Sequence, residues 1–273
     1  MFRDRGVEIK TPEQIEVMRR AGLVVGQTLE LLRAAVRPGI STGELDALAE
    51  DHIRSCGAVP SFKGYAHPPY PATICASVND EVVHGIPGGR VLTDGDVISI
   101  DCGAIVDGWH GDAAITVPVG EVPDEVTELL RVTEESLWRG IAAARQGGRV
   151  TDISHAIETY VRGEGPYGIL EDYTGHGIGS AMHLPPDVPN HGRPGRAPKL
   201  VPGLALAVEP MVVLGDPETV VLEDQWTVAT RDGSWAAHYE HTFTLTATGT
   251  WVLTALDGGR ARLEALGVRF GGH

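Results

Sequence analysis

The amino-acid sequence predicts an α+β fold in which helices pack on one side of a largely antiparallel sheet. Three observations favour this class. Two amphipathic helices precede β-like stretches, the same order occurs again in the second half of the chain, and no linker separates the halves. The chain has 273 residues, which is long enough for one large domain. We therefore predict a single domain that spans residues 1–273.

The first two helices have clear start and stop signals. A capping box at 11–14, with Pro12 at the first helical position, begins a helix whose apolar residues recur at spacings of three and four. The segment 37–39 ends this helix. A second capping box at 41–44 begins a helix that runs to about Cys56.

The second half repeats this order. One helix is predicted to start at 123–125, to include Ala144 and to be stopped by 146–148, and another opens at 151–153 and runs to about Gly163. A shift of 108 residues superimposes similar residues of the two halves, namely Gly39 on Gly147, Glu44 on Asp152, Leu45 on Ile153, Ile53 on Val161 and Gly57 on Gly165. This pattern predicts an internal duplication of approximately 11–120 and 121–250.

Strands are predicted after each helix pair. They lie at 97–106, 109–119, 204–214, 219–230 and 234–246. The Pro- and Gly-rich tract 184–203 is expected to be an ordered loop near the functional site.

Charge and composition exclude several classes of protein. The 22 basic and 37 acidic residues give a net charge of −15, which repels phosphate backbones and argues against non-specific nucleic-acid binding. No sequence-specific nucleic-acid partner is expected either. No apolar run is long enough to span a bilayer, and the N-terminus lacks the apolar region of a secretory signal. The three cysteines form no Cys-x-x-Cys pair, so they are expected to be reduced thiols in the cytoplasm.

Two aspartates are predicted to lie on one face of a β-hairpin. The Asp-Gly turn at 107–108 would place Asp101 opposite Ala114 and Asp112 opposite Gly103. The two aspartates are then diagonal neighbours within reach of a shared cation. The alternative is two unrelated aspartates that face solvent. The apolar strand around Asp101 argues against it, because an unpaired buried carboxylate is costly.

Three more residues extend this pattern. His176 lies between glycines in 175–179, which permits close backbone approach, although a glycine-rich turn with an incidental histidine is the simpler alternative. Glu209 and Glu240 lie in or beside apolar strands, where each could be a satisfied structural carboxylate. Four such carboxylates together are hard to neutralise in a protein core, whereas a pair of divalent metal ions would neutralise them.

These residues and their order resemble the methionine aminopeptidases of type I. The resemblance includes the segment Asn-Asp-Glu-Val-Val-His-Gly-Ile-Pro at 79–87 and five residues in order, Asp101, Asp112 eleven residues on, His176, Glu209 33 residues on and Glu240 31 residues beyond. It implies the pita-bread fold, with two pseudo-symmetric halves whose helices back a curved, largely antiparallel sheet. The 31-residue gap between the glutamates is typical of type I.

The resemblance also implies the roles of these residues. Asp101 would chelate one ion, His176 and Glu209 would hold the other, and Asp112 and Glu240 would bridge both. A histidine and four carboxylates accept Co, Mn, Fe or Zn according to geometry and availability.

Further residues are implied to contact the substrate. His84 and His183 match positions around the scissile amide and would act in catalysis with Glu209. Without the resemblance, each histidine would be interpreted as surface or core filler. The pocket for the methionine side chain would be lined by Tyr65, Tyr70, Cys75, His84, Met182, His183 and Trp226. Ordinary core packing is the alternative for Cys75 and Met182. The segment 64–71 is two residues longer between its aromatic residues than is usual.

The expected activity is removal of the N-terminal methionine from newly made proteins when the second residue is small. Nascent polypeptide N-termini are the expected partners of a cytoplasmic monomer, with transient ribosome contact through Arg193, Arg196 and Lys199. Proline-specific relatives carry a sizeable N-terminal domain, whereas the first predicted helix begins at residue 11. A non-catalytic binding module of the same fold, or an aminopeptidase of other specificity, is the remaining alternative.

Overall fold

The computed structural model describes residues 6–273, and the chain over this range folds into five helices and fifteen short strands. The helices are α1 (Pro12–Ala35), α2 (Thr42–Ser55), α3 (Asp124–Ala143), α4 (Val150–Glu164) and α5 (Arg260–Ala265). The strands of the first half are β1 (Val59–Pro60), β2 (Ile74–Val78), β3 (Glu81–Val83), β4 (Val97–Val106) and β5 (Trp109–Pro118). Those of the second half are β6 (Gly168–Ile169), β7 (Gly175–Gly177), β8 (Leu184–Val188), β9 (Ala205–Val208), β10 (Met211–Val213), β11 (Thr219–Val221), β12 (Val228–Thr230), β13 (Ala236–His238), β14 (Glu240–Leu245) and β15 (Thr250–Val252).

A nine-stranded sheet forms the centre of the molecule. Its main path is β1-β4-β5-β14-β9-β7-β8, with β2 paired to β4 and β15 paired to β14. Two three-stranded sheets, β13-β10-β6 and β11-β12-β3, lie beside it. Every pairing between these strands is antiparallel. The predicted α+β class and the largely antiparallel sheet are confirmed.

The helices pack on the sheet where glycine permits close approach. Helix α1 packs on β4 and β5 and also on α2, while α3 packs on α4. A Cβ atom on Gly111 of β5 would lie only 2.7 Å from the backbone nitrogen of Gly22 in α1. Because neither residue has a side chain, the backbone of α1 rests directly on the strand, one residue before Asp112. Burial of apolar residues between these layers forms the main core.

The predicted helix starts agree with the structure to within one residue. Thr11 and Gln14 form the first capping box and Ser41 and Glu44 the second, each through reciprocal hydrogen bonds. Helix α4 begins at Val150 rather than Thr151, because the carboxylate of its third residue accepts the N–H of Arg149 at 2.8 Å. Helix α3 ends at Ala143, one residue before the predicted Ala144 and ahead of the predicted stop signal at 146–148.

The predicted hairpin at 97–106 and 109–119 is confirmed, but the three longer stretches are each broken. Pro210 cannot donate a ladder hydrogen bond, and the chain leaves the central sheet there between β9 and β10. A turn that includes Gln225, with φ of 67°, separates β11 from β12. At Tyr239 the chain passes from the β10 sheet into the central sheet. The tract 184–203, expected to be a loop, begins with β8.

The described residues also test the prediction about membranes. Between residues 6 and 273, no helix combines the length and the apolar character needed to cross a bilayer.

Candidate metal centre and active site

Five predicted ligands from both halves of the chain line one cavity of about 180 Å³. Asp101 lies on β4, Asp112 on β5 and His176 on β7. Glu209 follows the last residue of β9, and Glu240 is the first residue of β14. The structure therefore brings together side chains that are up to 139 positions apart in the sequence.

Strand register explains how three of these carboxylates meet. Asp101 is paired with Ala114 and Asp112 with Gly103, as the Asp-Gly turn predicted. Glu240 is also paired with Ala114, from the other side of β5. Because alternate residues of a strand point to one face, Asp112 and Ala114 share a face. The small side chain of Ala114 separates Asp101 from Glu240 and leaves room for both carboxylates.

The glycines beside His176 serve the close packing that the sequence predicted. Strand β7 lies between β9 and β8, and a Cβ atom on Gly177 would collide with the backbone carbonyl of Pro185. The Nδ1 atom of His176 lies 3.0 Å from the carbonyl oxygen of Gly177. If Nδ1–H donates to that oxygen, Nε2 keeps its lone pair, which is the form that binds metal. This Nε2 lies 3.5 Å from Oε1 of Glu209.

Burial makes the charged forms of these carboxylates costly. Asp112 is 4% exposed and Glu240 is 2% exposed. Burial raises the pKa of Asp101 to about 7. Burial, reinforced by the neighbouring carboxylates, raises the pKa values of Asp112, Glu209 and Glu240 well above the usual range. Burial also lowers the pKa of His176 to about 3, so this imidazole is neutral.

The cavity fits divalent cations. Asp101 Oδ1, Asp112 Oδ1 and Glu240 Oε1 are buried and have no hydrogen-bond partner among the described residues. None of the residues that line the cavity, all of them within 6–273, is a lysine or an arginine. Buried carboxylates without a counter-charge are strongly unfavourable, and oxygen and imidazole donors together are typical ligands of divalent metals.

Two groups of side chains are close enough to hold an ion. In each group, the ligand atoms all lie within 4.8 Å of one another, and both groups include Glu240. One group adds Asp112 and His176, and the other adds Glu209 and His238. Asp101 lines the same cavity but belongs to neither group. The sequence analysis did not single out His238, which lies on β13 while Glu240 begins β14.

An aromatic and sulfur-containing pocket opens from the acidic cluster. Tyr70, Cys75 and Met182 are buried together, and Trp226 packs against them. The ring of Tyr70 meets that of Trp226 edge to face at 5.1 Å. Phe62 also belongs to this cluster and was not predicted. The longer segment 64–71 therefore still places Tyr70 in the predicted pocket.

Tyr65 lies nearer the opening of the cavity than Tyr70. Tyr65 is 37% exposed, and its hydroxyl lies 2.6 Å from Nδ1 of His183. The ring of His183 also meets that of His176 at 4.3 Å between centroids. These contacts hold His183 at the boundary between the acidic cluster and solvent.

His84 lines the cavity from the loop after β3. Its backbone is in the left-handed region, with φ of 61°, which is uncommon for a residue other than glycine and often marks a functional site. Burial lowers its pKa to about 4, and burial also lowers the pKa of His183. Both rings are therefore neutral near pH 7 and can donate or accept a hydrogen bond.

The fold and the acid-rich cavity together define a class of metal-dependent peptidases. The model of metallopeptidase family M24 matches residues 16–247, and the chain belongs to this family. Among curated relatives, the chain is 53% identical to a methionine aminopeptidase of Clostridium acetobutylicum, over 91% of this chain and 99% of the relative. It is 52% identical to methionine aminopeptidase 1 of Mycobacterium tuberculosis, over 92% and 96%. The crystal structure of a methionine aminopeptidase from Thermotoga maritima superimposes with a TM-score of 0.89 at 42% identity, covering 91% of this chain and 99% of that one.

Proposed function

We propose that this protein is a metal-dependent aminopeptidase that removes the N-terminal methionine of polypeptides, with preference for a small second residue. One observation carries the proposal: a buried cluster of four carboxylates and His176 opens directly into an apolar pocket of aromatic and sulfur side chains. The first feature is suited to hydrolysis and the second to a thioether side chain. The relatives named above support the same activity.

The acidic cluster would hold two divalent ions. Asp101 would hold one ion, His176 and Glu209 would hold the other, and Asp112 and Glu240 would serve both. The donor set accepts Co, Mn, Fe or Zn. Bound ions would supply the Lewis acidity that activates water and polarises the scissile carbonyl, and a coordination position for an uncapped N-terminal amine.

Glu209 is proposed to move the proton. Its carboxylate lines the cavity beside the other proposed ligands, with Oε1 3.5 Å from Nε2 of His176, so it lies where the water and the scissile amide would meet. Its backbone is held by the side-chain amide of Asn190, which donates to the Glu209 carbonyl at 3.0 Å. From this fixed position Glu209 would take a proton from the attacking water and deliver it to the departing amine.

His84 and His183 are proposed to orient the scissile amide. Both rings are neutral and line the cavity beside the carboxylates. If Tyr65 donates its hydroxyl proton to Nδ1 of His183, Nε2 of His183 carries the proton and can donate to the substrate. Neutral donors of this kind stabilise a developing oxyanion without adding charge to the ground state.

The pocket would select the first residue of the substrate. Tyr70 is fixed because its hydroxyl lies 2.9 Å from the Gly85 carbonyl and 3.0 Å from the Ile74 carbonyl. Cys75 and Met182 are only 5% and 4% exposed, so the apolar wall is closed behind the cluster. An unbranched thioether fits this wall, whereas a charged first side chain would be buried without a partner.

We further propose the setting of the reaction. A single catalytic domain spanning 1–273, built from a duplication of approximately 11–120 and 121–250, would act as a monomer in the cytoplasm. Nascent polypeptide N-termini would be its substrates. Arg193, Arg196 and Lys199 lie on one surface segment and would provide a transient contact with the ribosome.

A peptide panel tests the proposed function. The full chain, supplied separately with each candidate metal, is assayed for release of the first residue from Met-Ala-Ser, Ala-Ala-Ser, Leu-Ala-Ser and formyl-Met-Ala-Ser. We expect rapid release of methionine from the first peptide only. Equal rates on the Leu and Met peptides would support an aminopeptidase of other specificity, and no release with any metal would support a non-catalytic binding module.

A further inference from the structure

Besides the imidazole of His176, that of His238 lies close to the proposed ligands Glu209 and Glu240. His238 is on β13, a strand that carries none of the predicted ligands. Its Nε2 lies 3.8 Å from Oε2 of Glu209 and 3.9 Å from Oε2 of Glu240. We propose that His238 is a further protein ligand of the metal centre, a role that rests on the proposed metallopeptidase function. Each of the two groups of side chains that include Glu240 would then contain one imidazole ligand, His176 in one group and His238 in the other.

The Nε2 atom of His238 has no hydrogen-bond partner in the part of the chain that the structure describes. The residue is 2% exposed. The distances to both glutamates exceed the range of an N–H···O hydrogen bond. A buried polar atom without a partner is costly, so a histidine that merely filled space here would be replaced with advantage by an apolar residue.

The backbone of His238 is fixed toward the cavity from the central sheet. Thr116 of β5 accepts the N–H of His238 at its Oγ1 at 2.9 Å, and the same hydroxyl donates to the His238 carbonyl at 2.8 Å. The hydroxyl of Tyr239 donates to the Thr116 carbonyl at 2.8 Å. Ligands held by such contacts lose little freedom on binding an ion, and these contacts leave the imidazole of His238 facing Glu209 and Glu240.

An additional nitrogen donor has a consequence for the choice of metal. Carboxylate oxygens suit Mn²⁺, whereas imidazole suits Zn²⁺ and Fe²⁺ and follows the Irving–Williams order, in which Co²⁺ binds more tightly than Mn²⁺. If His238 coordinates, its removal should weaken Co²⁺ binding more than Mn²⁺ binding. If His238 only donates a hydrogen bond to a glutamate, its removal should affect both ions equally.

The test compares the chelator-treated full chain with three variants in titrations with Co²⁺ and with Mn²⁺ alone, followed by calorimetry and, for Co²⁺, by visible absorption. His238→Gln keeps the size and polarity of the side chain but removes the imidazole. His241→Gln is the matched control, because His241 lies on the opposite face of β14, where its Nδ1 contacts Thr254 at 2.8 Å.

For His238→Gln we expect the affinity of one Co²⁺ site to fall by at least about tenfold, the lower limit for loss of a group that supports a metal site. The fall for Mn²⁺ should be smaller, and the visible spectrum of bound Co²⁺ should change. His241→Gln should bind both ions as the wild type does. Added imidazole should restore Co²⁺ affinity to His238→Ala, which tests the role of the ring apart from any effect on folding.

Two outcomes would overturn the proposal. Unchanged Co²⁺ affinity and spectrum in His238→Gln would show that the side chain does not coordinate. An equal loss of affinity for both metals in His238→Gln, together with no rescue of His238→Ala by imidazole, would show the same. Failure of the proposed function is distinguishable from either, because the wild-type protein itself would then bind no ion or release no methionine.

Discussion

Removing the metal ions should lower the stability of this protein by an amount that grows with pH. Without ions, the four buried carboxylates can be accommodated only by taking up protons, and burial raises the pKa of Asp101 from 3.8 to about 7. An acid whose folded pKa is raised binds more protons in the folded state, so its contribution to stability falls as pH rises from 3.8 to 7. With ions bound, the ligands are deprotonated and stabilised, and this loss disappears.

The size of the stability loss follows from the shift in the pKa of Asp101. One pKa unit corresponds to about 1.4 kcal/mol, so Asp101 alone destabilises the chelated protein by up to about 4 kcal/mol at neutral pH. The difference in stability between loaded and chelated protein should therefore widen by about 1.4 kcal/mol per pH unit for each proton that metal displaces. For a chain of this length, that is about 3 °C in Tm per pH unit and proton.

The assay is thermal unfolding of the same preparation with chelator or with a fixed excess of Mn²⁺, at several values between pH 5.5 and 8. Buried histidines outside the cluster, such as His241, whose pKa burial lowers to about 4, favour the folded state as pH rises. They do so equally in both samples, so the difference isolates the cluster. Asp101→Asn should raise the Tm of the chelated protein at pH 7.

A difference in Tm that stays constant across this pH range would show that protonation of the buried carboxylates does not set the stability of the chelated protein. So would a chelated protein that is as stable as the loaded one at pH 8, because the carboxylates would then have another counter-charge.

Three further predictions concern single substitutions. Glu209→Gln should keep the shape of the site but lower kcat on Met-Ala-Ser by about a hundredfold or more, because it removes the proposed base; an effect confined to KM would indicate a positioning role instead. Gly177→Ala should lower the free energy of unfolding by about 1–3 kcal/mol in urea titrations, since its Cβ would meet the rigid backbone of Pro185; wild-type stability would show that the strands can separate. Tyr65→Phe should lower kcat more than it raises KM, because the hydroxyl orients His183, and equal activity would exclude that role.

Local signals in the sequence were sufficient for much of the fold. Capping boxes and apolar spacing predicted the first two helices, because both depend only on residues a few positions apart. The Asp107-Gly108 turn predicted the hairpin register, which set Asp101 and Asp112 on one face. Several strands of two to five residues outside the predicted stretches, including β2, β7 and β8, were missed because they carry too few residues for a periodic pattern.

The candidate site was predictable for a different reason. Four carboxylates in apolar surroundings conflict with a stable core, and this conflict was visible in the sequence around Asp101 and Glu209. The residue His238 was missed because one histidine in an apolar strand carries no such conflict by itself. Its importance appears only when β13 is placed beside the end of β14, which no local pattern specifies.

The most direct test of the central claim is methionine release as a function of bound metal. The chelated full chain and its Asp112→Asn variant are titrated with Mn²⁺ or Co²⁺ while cleavage of Met-Ala-Ser and the number of bound ions are measured together. We expect no release without metal, recovery in the wild type as two ions bind, and little recovery in the variant although it remains folded. Full activity of the chelated protein, or wild-type turnover by Asp112→Asn at limiting metal, would contradict this expectation.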